Sequence, residues 1–123
     1  MNGGGWFSAL PEQKRHQATL ALEYCQQLPW ILELHCREET HVVAHADYPQ
    51  EVYQWQKPVN LQEVLWRRAR LNAHLAGGGS AITGADHFWF GHTPLRERFD
   101  SANLHYIDTG AVFGGELTLV QLQ

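Results

Sequence analysis

The chain is short of cysteine, of basic tracts and of long apolar runs, and each shortage removes a class of protein. Its two cysteines, Cys25 and Cys36, are too few for a disulfide framework. They fall in segments that read as helix and strand and suit small core positions in a reducing compartment. Nine Lys and Arg against 13 Asp and Glu leave a net charge of -4, so a surface built to neutralise a phosphate backbone, and with it a nucleic-acid partner, is not expected. No stretch reaches the roughly 18 apolar residues of a membrane helix. The opening "MNGGGWFSAL" has neither the basic region nor the apolar run of a secretory signal. The expectation is a cytoplasmic protein with no membrane partner. "GGGS" and "GADH" lack the lysine and the serine or threonine of a phosphate-binding loop.

What the chain has in excess is histidine, eight in 123 residues, a side chain suited to metal or acid–base chemistry. Two of the eight close apolar runs. "HFWFGHTPL" drives Phe88, Trp89 and Phe90 into Gly91, His92, Thr93 and Pro94, and "HVVAHADYP" climbs through Val42 and Val43 to His45 before turning at Asp47 and Pro49. An apolar run that empties into glycine and proline reads as a buried strand ending in a tight loop. The carboxyl ends of strands are where α/β proteins place their chemistry.

Length allows one domain with a real core. A helix is predicted over residues 11–27, where Pro11 and Glu12 suit a first turn. "WILELHC" and "HVVAHA" read as a hairpin, and residues 48–58 as a long loop with Trp55 at its surface. Asn60, with Glu63 three residues on, caps a helix through "VLWRRARLNAHL", which stops at Gly77–Gly79. "HFWFGH", "NLHYIDTG" and "GELTLVQLQ" read as three further strands. The class is α/β.

Imidazoles from neighbouring strand ends, His45 and His92, suit a borderline divalent cation, but two ligands do not make a tight site. Ordinary hydrogen-bonded histidines are the competing reading. Asp47 and Asp86 are available to orient them or serve merely as turn acids. Arg67, Arg68 and Arg70 on one helix point about 100° apart per residue, so at most one or two can face a site. An inward guanidinium would grip phosphate oxygens; a solvated basic face is the bland alternative.

"VVAHADYP", "VNLQEVLWRRARL", "ITGADHFWFGHTPL" and "NLHYIDTGAVFGGELTLVQLQ", in this order and spacing, resemble the carboxyl-terminal half of the bacterial serine/threonine protein phosphatases related to the lambda-phage enzyme. "NGGGWF" and "LPWILEL" extend the likeness over nearly the whole chain. These enzymes belong to the metallophosphoesterase superfamily, and the resemblance implies part of a β-sandwich flanked by helices with two metal ions, usually manganese (Mn2+). It implies that His45 and His92 are ligands of the second ion, that Arg68 is the phosphate-gripping arginine, with Arg70 the lesser candidate, and that the substrate is a phosphoprotein or phosphopeptide. A dinucleoside polyphosphate hydrolase is the nearest alternative within the superfamily.

The family's D-x-H, G-D-x-x-D-R-G and G-N-H-E motifs do not occur in these 123 residues. They supply the ligands of the first ion and the remaining ligands of the second. Residues 1–123 are therefore expected to be a partial metallophosphoesterase domain without its amino-terminal metal-binding half. Such a chain would be a non-catalytic remnant or interaction fragment, or would need a complementary amino-terminal half. A sandwich cut in this way is expected to leave Trp30, Ile31, Phe88, Trp89 and Phe90 partly exposed.

Overall fold

Alternating apolar and polar side chains fold residues 31–44 into a hairpin, β1 (Ile31–Cys36) antiparallel to β2 (Glu39–Ala44), with Ile31 opposite Ala44 and Cys36 opposite Glu39. The connection is Arg37-Glu38, both at positive φ (51° and 66°), as a two-residue turn matched to the strand twist requires. The hairpin expected from the sequence is present, with β2 beginning two residues earlier and ending one residue before His45. The computed structural model describes residues 4–123. Among them no helix is long and apolar enough to cross a membrane.

The sheet is completed by β3 (His87–Phe90), β4 (Phe99–Ser101) and β5 (Leu104–Tyr106), in the order β1-β2-β3-β5-β4. The pairs β2–β3 and β3–β5 are parallel, while β4–β5 is antiparallel. The α/β class holds, and the described residues form this one sheet; a second layer of a sandwich is not among them. Two strand readings change. β4 was hidden because three residues are too few to show a period of two. "GELTLVQLQ" is not a strand: Gly110 and Gly114, both in the left-handed region, turn the chain through a short 3-10 segment, Ala111–Phe113. Only Glu116 then pairs, with Gly110.

One face of the sheet carries Val42, Ala44, Phe88, Phe90, Leu104 and Tyr106, and is covered by Tyr48, Tyr53, Val64, Leu71 and Ile82. This corrects the expectation of an exposed aromatic run. Phe88 and Phe90 are sealed by the 46–60 loop and by two short helices of the chain itself, and Trp89 is 7% exposed on the opposite face. Ile31 is half-buried against the core. Trp30, Leu32 and Leu34 are exposed. The 48–58 stretch is irregular as expected, with Trp55 at the surface.

The helices are α1 (Gly5–Ala9), α2 (Glu12–Gln26), α3 (Leu61–Trp66) and α4 (Ala69–Leu75). α2 starts after Pro11 as predicted but buries nothing, so Cys25 is an exposed thiol rather than a core residue. Cys36 is half-buried at the end of β1, and both thiols are free. Asn60 caps α3 by accepting from the N–H groups of Gln62 and Glu63. The single helix read through residue 75 is instead broken at Arg67, whose backbone is extended (φ -66°, ψ 130°).

His41 is buried on the face opposite the core and accepts a hydrogen bond from Trp89 Nε1 at its Nδ1 (3.1 Å). Burial, and after it His87, hold its pKa below the ordinary value; Glu39 opposes them. A depressed histidine pKa means that the folded state binds fewer protons than the unfolded one. Its stabilising contribution is complete above about pH 6.5 and is lost as pH falls through the folded value. Urea unfolding midpoints should therefore drop between about pH 7.5 and pH 5, with a shallower drop in His41→Gln. An equal slope in the variant would contradict the assignment.

Candidate functional site

Because β2 and β3 run parallel with Val43 opposite Trp89, the two chains leave the sheet side by side at their carboxyl ends. The N–H of Gly91 donates to the carbonyl of His45 (2.8 Å), one step beyond the ladder. His92 follows at φ 69°, and the Thr93 N–H donates back to the Gly91 carbonyl (2.8 Å). His92 is thus the centre of a three-residue turn in the left-handed region, a rare and strained conformation for a side-chain-bearing residue. The strain aims the ring across the gap. His45 Nε2 and His92 Nδ1 lie 3.0 Å apart.

That separation is a hydrogen-bond distance, and it also fits a shared metal ion. Two nitrogens each about 2.1 Å from one ion, at about a right angle, stand about 3 Å apart. Burial chiefly, then His45 and Arg68, hold the His92 pKa below its ordinary value, with Asp108 opposing. The ring is therefore neutral near pH 7, as a metal ligand must be. Its other nitrogen, Nε2, is buried with no hydrogen-bond partner, and the indole of Trp66 meets the ring edge-on at 5.2 Å. Among the described residues no three His, Cys, Asp or Glu side chains converge on one point. A cleft of about 380 Å³, lined by Trp30, Leu32, Val43, Trp89 and Ile107, ends at His45. It is apolar, so only its histidine end has polar chemistry to offer.

The carboxylates proposed as orienters hold the frame instead. Asp47 Oδ1 accepts from Arg70 Nε and from the Tyr48 N–H, both at 2.8 Å. Asp86 Oδ2 accepts from the Thr40 N–H (2.7 Å), tying the hairpin to β3. Arg70 is buried, and its Nη2 also donates to the carbonyls of Tyr48 and Gln50 and to Glu51 Oε1, each at 3.1 Å. Arg67 lies 3.4 Å from Asp47 Oδ2. Residues three apart share a helix face, and Arg67, at the C-cap of α3, and Arg70, in the first turn of α4, reach the same carboxylate although the helix is broken between them. Arg68 is exposed, and its guanidinium makes no hydrogen bond or ion pair among the described residues, while its carbonyl accepts from the Asn72 N–H (2.9 Å); its charge reaches His92. The site thus brings His45, His92 and Arg68 together, while Arg70, Asp47 and Asp86 are structural. Sequence reasoning missed Trp66 and Asp108, for which an aromatic at a helix end and an acid in "IDTG" were the only signals.

Two outcomes follow from this geometry. Asp47→Ala leaves the Arg70 guanidinium buried without its main partner and should cost about 3–5 kcal/mol in urea unfolding at neutral pH. Exposed Arg68→Ala should stay within about 0.5 kcal/mol. His92→Gly relieves strain of about 1–3 kcal/mol against an entropic cost of about 1 kcal/mol. Its thermal midpoint should therefore hold or rise. A clear drop in the midpoint would show that the turn is unstrained.

No family model matches the chain. Over 123 residues, all of this chain and 55% of the relative, it is 62% identical to "Serine/threonine-protein phosphatase 1" of Salmonella typhimurium. It is 39% identical over 123 residues, all of this chain and 56% of the relative, to "Serine/threonine-protein phosphatase 2" of the same organism. Identity is 34% over 122 residues, 99% of this chain and 56% of the relative, to "Serine/threonine-protein phosphatase 2" of Escherichia coli. The chain spans about half the length of the curated relatives it matches, and along that whole span it is similar to these proteins named serine/threonine-protein phosphatases.

Proposed function

We propose that the chain is part of a manganese-dependent serine/threonine protein phosphatase, with His45 and His92 as two ligands of one ion and Arg68 as the group that grips the substrate phosphate. The observation that carries the reading is the 3.0 Å pair of ring nitrogens at the carboxyl ends of two parallel strands, in a chain similar throughout to named phosphatases. A bound divalent ion would supply Lewis-acid polarisation of a phosphoryl oxygen. His45 and His92 would hold it through neutral nitrogens. Arg68, free of carboxylate partners among the described residues, would present two parallel N–H donors to a phosphoserine or phosphothreonine monoester.

Two neutral nitrogens bring no charge to the ion, so the remaining ligands are proposed to come from a complementary amino-terminal half. The same half would add the second layer of a sandwich over Leu32 and Leu34, which are exposed here. On this reading residues 1–123 are a partial domain, inactive alone. The absence of any three-ligand group among the described residues favours the second reading as well, a non-catalytic remnant.

The test is hydrolysis of a phosphopeptide with manganese, by this chain alone and mixed with the segment of the Salmonella phosphatase 1 that lies outside the matched stretch. The chain alone should be inactive. The mixture should gain turnover that His45→Ala or His92→Ala abolishes and Arg68→Ala reduces about a hundredfold. No gain on mixing favours the remnant, and a preference for a dinucleoside tetraphosphate moves the activity to that class of hydrolase. Histidine-dependent turnover by the 123-residue chain alone would show that it carries a complete site.

A further inference from the structure

A second pair of imidazoles stands on the sheet face opposite the core, away from His45 and His92. His87 on β3 and His105 on β5 bring Nδ1 and Nε2 to 2.9 Å of each other. Each ring's other nitrogen faces a carboxylate: His105 Nδ1 lies 2.5 Å from Asp100 Oδ1, and His87 Nε2 lies 3.3 Å from Glu39 Oε2. An ionised carboxylate can only accept, so His105 Nδ1 carries its hydrogen toward Asp100, and His87 Nε2 does the same when its hydrogen is turned to Glu39. Asp100 is kept ionised by Arg98, whose Nε donates to both of its oxygens (3.0 and 2.9 Å). When both outer hydrogens are so engaged, the two inner nitrogens are left as lone pairs pointing at one another.

We propose that His87 and His105 form a binding site for a borderline divalent cation of the zinc type, with Glu39 and Asp100 as the carboxylates that fix the two ring tautomers. Facing lone pairs at this distance repel unless a proton or a metal cation lies between them. Two nitrogens each about 2.0–2.1 Å from zinc at about a right angle stand about 2.9 Å apart, and a ring shift of about 0.4 Å opens the angle to tetrahedral. A histidine that ligates through one nitrogen while donating from the other to a carboxylate is the usual second-shell arrangement at protein metals. Here it occurs twice around one point. The side chains are reachable, 31% exposed at His87 and 12% at His105.

Neighbouring groups limit the ligand set to two. His41 stacks on His87 at 4.9 Å, but its Nδ1 is taken by Trp89 and its Nε2 therefore carries the hydrogen, so it donates no lone pair. Trp89 stacks on His105 at 4.3 Å, and the Arg98 guanidinium lies over the indole. The site is an open two-nitrogen chelate with positions left for water. Its metal would sit beside an indole, which gives it an optical reporter.

The experiment is zinc calorimetry on the full chain carrying His45→Ala and His92→Ala, which removes the other pair, with thermal melts to confirm folding. One zinc per chain should bind. Adding His87→Gln or His105→Gln should each raise the dissociation constant at least tenfold, and Asp100→Asn about tenfold. In the same background copper(II) should quench Trp89 emission, and Trp89→Phe should remove most of the quenching. The proposal is overturned if the folded double variant binds no zinc, or if either glutamine substitution leaves the affinity unchanged.

Discussion

The parallel pairing of β2 with β3 is the constraint on which the rest of the molecule depends. Setting Val43 against Trp89 places Val42 and Phe88 together in the core and carries His45 and Gly91 out of the sheet at the same level. Side chains alternate along a strand, so a slip of one residue would turn the core set outward and take His45 to the other face. The register is held from both sides. Asp86 ties the start of β3 to Thr40, and the Gly91 N–H holds the exit to His45.

Much of this was legible before any coordinates. Apolar runs stopped by Gly91, Pro94 and Pro49 marked the strand ends, and both histidines sit where those runs predict. The cap at Asn60 was equally plain. What could not be read was long-range. Nothing local in "VLWRRARL" signals a break at Arg67, and nothing local shows that Arg67 and Arg70 reach Asp47, some twenty residues away in sequence. Asp47 likewise looks like a turn acid until Arg70 is seen against it. The positive φ of His92 is also a tertiary effect, since isolated chains avoid that region for residues with a Cβ.

The sheet's two faces tell different stories. The face under Tyr48, Tyr53, Val64 and Leu71 is a finished core, closed where Tyr48 and Tyr53 meet the Phe88 ring from a distant part of the chain. The opposite face mixes exposed Leu32 and Leu34 with a belt of His41, His87, Trp89 and His105 linked by stacking and hydrogen bonds. Aromatic and imidazole rings of this kind cover one another's faces while still offering polar edges, which is how Trp89 is buried with no second layer among the described residues.

The break at Arg67 has a consequence for how the molecule comes apart. α3 and α4, of six and seven residues, are each far shorter than the roughly 12–15 residues that an isolated helix needs to persist in water. Neither is a module with its own folding free energy. They exist because Asn60 closes one end and Asp47 grips Arg67 and Arg70 at the joint. The loop that follows β2 and the segment that carries Arg68 therefore form and melt as one cooperative unit, and their amide hydrogens should exchange with solvent through a single shared opening.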